Sequence, residues 1–115
     1  MPVDYYRSDG RPATAAEAQR LLLDVRARLL AQDVIRVAAA VVVVSTWFTV
    51  VDLGRTADGR PLLWQTIVSD TSMHADVGRY STREAAARGH ARAVTMITDR
   101  LRGFVARAAL DEARP

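Results

Sequence analysis

The stretch VAAAVVVVSTWFTVV, residues 37–51, decides the fold, because its only polar members are hydroxyl residues and it reads either as a membrane helix or as a buried strand. As a helix it would span about 22 Å, short of a hydrocarbon layer roughly 30 Å thick, and Arg36 and Asp52 close it at both ends. From Val41 the residues are β-branched and aromatic, which favours a strand. Both of its alternating faces are apolar: Val44, Thr46, Phe48 and Val50 on one, Trp47, Thr49 and Val51 on the other. Such a strand is expected to be central and covered on both sides.

Working toward the C-terminus, LGRTADGRP (residues 53–61) carries Asp58-Gly59 and Pro61 and reads as a hairpin loop, and LLWQTIV (Leu62–Val68) returns as the second strand. A polar loop, SDTSMHAD, follows, and Asp76–Tyr80 offers a short third strand. Ser81 then opens the pattern S-T-R-E, a capping box with Glu84 at the third helical position, and the helix it starts is expected to reach about Leu110. Its apolar stripe runs through Ala86, His90, Ala93, Ile97, Leu101, Phe104 and Ala108, with Glu84, Arg88, Arg92, Asp99 and Arg102 opposite. Toward the N-terminus, TAAE (Thr14–Glu17) is another capping box, predicting a helix from Ala15 to about Gln32 with Ala18, Leu22, Val25 and Leu29 on its inner face. Asp24 and Arg28 stand four apart in the favourable order on that helix. Residues 1–13, with Gly10 and Pro12, read as an irregular arm, so residues 14–115 form one α+β domain: a helix, an antiparallel hairpin or small three-stranded sheet, and a long helix.

A chain of 115 residues supports one domain with a real core. There is no cysteine, which excludes disulfides, thiolate metal sites and a thiol nucleophile and agrees with a reducing cytoplasm. All sixteen basic residues are arginine and alanine is abundant, the composition of a GC-rich coding genome. The segment from Arg79 onward carries eight arginines against four carboxylates, whereas residues 37–78 carry two against four. The positive excess therefore lies on the last helix, where it could attract nucleic acid or an acidic protein surface. The N-terminus MPVDYYRSDGRP is polar and lacks the apolar core of a signal peptide.

Four groups of residues offer chemistry, each beside a plainer reading. His90 lies on the apolar stripe one residue after Gly89, which allows close approach, but no HxxxH or HxxE pattern surrounds it; a half-buried histidine bonded to a strand carbonyl is the plainer reading. Asp70, Ser72, His74 and Asp76 gather in one loop with the residue types of a divalent-metal site or a nucleophile and base, yet they need opposing ligands from elsewhere, and a solvated loop suffices. Arg79, Arg83, Arg88 and Arg92 form a candidate phosphate-binding patch; the element order loosely resembles double-stranded-RNA-binding domains, although Thr82-Arg83-Glu84 stands where their lysine pair would be and Glu84 can neutralise Arg88. Trp47 and Trp64 lie on the two hairpin strands as core or interface aromatics. No cofactor or metal is expected. A helix of about 28 residues, roughly 42 Å long, must overhang strands of about 27 Å, so Leu101, Phe104, Val105 and Leu110 need cover from the first helix or a second chain, and a homodimer is expected. With Trp47 and Trp64 these residues make the expected protein interface.

The strand VSTWFTVVD (Val44–Asp52), the strand PLLWQTIV (Pro61–Val68) and the stretch RYSTREAAARGH (Arg79–His90) together resemble a recurrent pattern in small uncharacterised proteins of actinobacterial phages and prophages. There the pattern reads approximately V-S-T-hydrophobic-aromatic-L-G-L-D, G-x-P-L-hydrophobic-aromatic-E-T-M-V and R-Y-x-T-x-x-E-A-x-x-G-H. Gln65 stands for the usual Glu, Thr49-Val50 for the usual Leu-Gly, and the flanking helices lie outside the pattern. The resemblance implies kinship and no assigned activity. The expectation is a non-enzymatic phage- or prophage-type accessory protein in the cytoplasm of a bacterial host, binding a host or phage protein. Nucleic-acid binding and a role in the virion or its assembly are the alternatives.

Overall fold

A computed structural model describes residues 4–114 and gives the order α1 (Ala15–Leu23), α2 (Val25–Arg28), β1 (Leu29–Val37), β2 (Ala40–Phe48), β3 (Trp64–Ser69), β4 (His74–Tyr80) and α3 (Arg83–Glu112). The strands form one antiparallel sheet in sequence order, β1-β2-β3-β4, with α3 across one face in contact with all four. The expected α+β class is therefore present, with four strands where two or three were anticipated. No helix among the described residues is long and apolar enough to cross a membrane.

The added strand is β1. Thr14 caps α1 with both halves of the expected capping box, but the helix stops at Leu23 rather than continuing to Gln32. Asp24 leaves helical geometry (φ −95°, ψ 81°) and its carboxylate accepts from Ala27 N, starting the single turn α2, so it does not pair with Arg28 as the four-residue spacing suggests. Arg28 instead donates to the carbonyls of Leu22 and Phe48. From Leu29 the chain is extended and joins β2 through the two-residue turn Ala38-Ala39. Ala38 takes φ 52°, a conformation that costs an L-residue about 1–2 kcal/mol and that glycine or asparagine would normally announce.

Strand β2 is central, as expected, but only one of its faces is covered. Val44, Thr46 and Phe48 point toward α3 and are buried, as are Trp64 and Thr66 of β3 and Ile35 of β1. Ala18 of α1 joins Phe48, Val50, Leu63, Trp64 and Ala86 in one core cluster; Ile35, Val44 and Ala93 form the second. Trp64 packs on Phe48 with ring centroids 5.2 Å apart. The arm is not loose in its described part. Tyr6 N donates to the Val50 carbonyl at 2.9 Å, Tyr5 bridges Val51, and both tyrosines lie against the core. Val50 itself sits at φ 67° while fully buried, an unusual position for a β-branched residue.

Candidate functional site

Arg79 binds Asp76 (2.7 Å) and the Leu53 carbonyl (2.8 Å). Tyr80 lays its ring between Gly78, two residues earlier on β4, and Gly89 on α3; a Cβ on either glycine would overlap the ring. Thr82, not Ser81, is the N-cap of α3 and accepts from Ala85 N at 3.1 Å, so Glu84 is one residue out of place for a capping box. Ala86 and Gly89 are buried where the helix meets the sheet. The close approach inferred at Gly89 is thus the docking of Tyr80.

His90 reaches the centre of the molecule and is 5% exposed. Its Nε2 lies 2.7 Å from Asp33 Oδ2 on β1, and its Nδ1 lies 2.8 Å from Thr46 Oγ1, which is 2.6 Å from Thr66 Oγ1. A carboxylate only accepts, so Nε2–H donates to Asp33; in the neutral ring Nδ1 then accepts from Thr46, and Thr46 accepts from Thr66. The result is a directed chain, Thr66 to Thr46 to His90 to Asp33, that joins three strands to α3. His90 therefore bonds side chains rather than the strand carbonyl expected of it. A carboxylate, a histidine and a hydroxyl in a row are the parts of a hydrolytic triad. A nucleophile must also reach substrate, and Thr46 has no exposed surface. The chain spends its hydrogen-bonding capacity on holding α3 to the sheet.

The loop residues are similarly engaged. Asp70 accepts from Ser72 N, Ser72 Oγ and Met73 N at 2.8–2.9 Å, closing the β3–β4 turn, and the Ser72 backbone bond first among these holds its carboxyl below the usual range. Burial pushes Asp76 up, but bonds from Gln65 and Arg79 outweigh it and leave the carboxyl low. Among the described residues no group of three His, Asp or Glu side chains is placed to hold a metal ion.

The arginine candidates divide. Gln65 and Arg79 are register partners, and the residue after Arg79, Tyr80, faces α3, so Arg79 belongs to the sheet face away from the helix. Arg83, Arg88 and Arg92 are exposed on α3. A single four-arginine patch is therefore not formed.

Two apolar surfaces remain, one on each side of the sheet. On the open face, Val34 and Val41 are half exposed, and Trp47 and Ile67 line a groove of about 400 Å³ with Leu53 and Gln65. Val25 and Arg28 of α2 reach its margin. Trp47 is half buried and lines this groove, whereas Trp64, 2% exposed, is core and leaves the expected interface set. On the helix face, one α-helix about 10 Å wide cannot cover four strands whose outer axes lie about 14 Å apart. Beyond the reach of α1, the strip over β3 and β4 stays open as a groove of about 490 Å³, floored by Val42, Val68 and Val77 and walled by Met73, Met96, Leu101 and Phe104. Past the sheet, α3 carries Phe104 and Leu110, 72% and 67% exposed, so Phe104 lies outside the buried stripe assigned to it by spacing. Leu101 and Val105 are half buried.

Sequence spacing gives no sign that Asp33, Thr46, Thr66 and His90 converge, because each lies on a different element. In comparisons with protein families, curated proteins and solved structures, the chain finds no match.

Proposed function

We propose that this chain is a non-enzymatic accessory protein of phage or prophage type that binds another protein, of the host or the phage, through its open sheet face. The observation that carries the reading is the apolar groove that Trp47 and Ile67 line on the open sheet face, with Val34 and Val41, half exposed, farther along the same face. A tryptophan ringed by polar groups such as Gln65 and Arg79 has the makeup of an interface centre. The residues with catalytic potential, His90 and the loop acids, are engaged in holding the fold. The GC-rich composition and the quoted strand and helix motifs support the phage reading.

The test is a pull-down from an actinobacterial lysate, split into nuclease-treated and untreated halves, using the wild type and Trp47→Ala. A single protein retained in both halves and lost with Trp47→Ala is the expected result. Retention that disappears with nuclease would move the function to the exposed arginines of α3, and large ordered assemblies of the pure protein would make it a virion component. Turnover of a small substrate, abolished by replacing His90 or His74, would overturn the reading.

A further inference from the structure

We infer that two copies of the chain associate through α3, each copy laying the overhanging end of its helix against the open groove over β3 and β4 of the other. The inference concerns the helix side of the sheet, opposite Trp47, and stands independently of the function proposed above.

Each chain has both halves of the contact. The groove offers an apolar floor and flexible Met73 and Met96, and the overhang offers Phe104 and Leu110 with nothing of their own chain to cover them. Met96, Arg100, Phe104, Arg107 and Asp111 recur at helical spacing on the flank of α3, and the first three border the groove. A two-fold axis crossing the helices between Val105 and Ala106 brings Leu110 of one copy level with Leu101 of the other, alongside the end of the groove. It also sets Arg100 level with the partner's Asp111, because the two positions lie eleven residues, about 16 Å, apart on each helix and symmetrically about the axis. Among the described residues neither Arg100 nor Asp111 makes an ion pair within its own chain. Such self-complementarity is what a closed two-fold contact requires.

Gly103 is the second observation. Glycine in a helix interior is costly, and Gly78 and Gly89 are accounted for by Tyr80, but a Cβ on Gly103 would meet nothing in its own chain. It lies beside Phe104 near the centre of the crossing, where a missing side chain lets a second helix come close.

Sedimentation equilibrium of the full chain tests this, with Phe104→Glu, Leu110→Glu, Gly103→Ala and, as a control on an exposed apolar residue elsewhere, Leu23→Glu. The wild type is expected at twice 12.6 kDa. Phe104→Glu and Leu110→Glu should each raise the dissociation constant at least about thirtyfold, the effect of losing a central interface side chain, with unchanged far-UV circular dichroism. Leu23→Glu should leave association intact. Gly103→Ala should weaken the dimer while raising the melting temperature of the dilute monomer, two shifts of opposite sign that a solvent-facing glycine would not give. A wild type that stays monomeric at about 100 μM, or a dimer indifferent to both Phe104→Glu and Leu110→Glu, would overturn the inference.

Discussion

Replacing Gly89 by alanine should destabilise the protein, although alanine is the better helix former. In an exposed helix the change would gain about 1 kcal/mol. Here the new methyl group falls on the Tyr80 ring, which cannot slide away because Gly78 bounds it on the other side. The ring must rotate out, giving up its packing on the cluster of Phe48, Leu63 and Trp64. Loss of a buried aromatic costs about 3–5 kcal/mol, and the half-buried Tyr80 belongs at the lower end, so the net change is about 2 kcal/mol of destabilisation. Urea unfolding followed by circular dichroism measures it, at a chain concentration too low for association. Gly103→Ala isolates the helix gain at a position with free space. In a Tyr80→Ala background, Gly89→Ala should turn from harmful to neutral or stabilising, a coupling of about 2–3 kcal/mol in the double-mutant cycle. A Gly89→Ala protein as stable as the wild type, or one whose cost persists without Tyr80, would refute the docking argument.

Replacing His90 by leucine should cost about 1–3 kcal/mol beyond any packing change, because Thr46 loses its acceptor in a fully buried setting; Thr46→Val and Thr66→Val made together in that background, which remove both buried hydroxyls, should recover part of the loss in the same urea assay. Glu17, bonded to the Arg7 guanidinium first of all and to Thr14, has its carboxyl lowered from 4.5 to about 2. Its folded-state value is depressed, so its contribution to stability is present above pH 4.5 and is lost as pH falls toward 2. A carboxyl NMR titration should place its midpoint near 2, and Arg7→Ala should move it back toward 4.5. Ala38→Gly should stabilise the β1–β2 hairpin by about 0.5–1 kcal/mol, the relief of a left-handed alanine less the entropy of glycine; a loss of stability on urea unfolding would count against the turn geometry.

The elements legible in the sequence were those with strong local signals. The capping box at Thr14, the β-branched run into Phe48, the Asp58-Gly59 loop and the apolar stripe of α3 as far as Leu101 each found their place. Strand β1 was hidden for two physical reasons. Leu29 continues the helical spacing of Leu22 and Val25, and the turn that reverses the chain is made by two alanines. In the same way, Ser81 and Thr82 both had the chemistry of a cap, and it is Thr82 that is extended and accepts from Ala85 N. The polar chain through His90 could not be read because its members meet only once the sheet has formed. Gly89 announced a close contact without naming Tyr80, and Trp64 could not be told from Trp47 until β2 and β3 were paired in register.

The pairing of Asp33 with His90 also bears on how the sheet ends. Strand β1 is an edge, with backbone groups open to a strand from another chain. Asp33 sits on that edge facing the helix layer, its side chain still half in water. A strand added alongside β1 would strip that water from a carboxylate with one protein partner, and desolvating a charge so placed opposes the addition. At the opposite edge, β4 departs from regular register between Asp76 and Gly78, which breaks the straight ladder a further strand would follow. A chain that is half apolar by composition thereby carries, at each margin of its sheet, a guard against growing into a fibre.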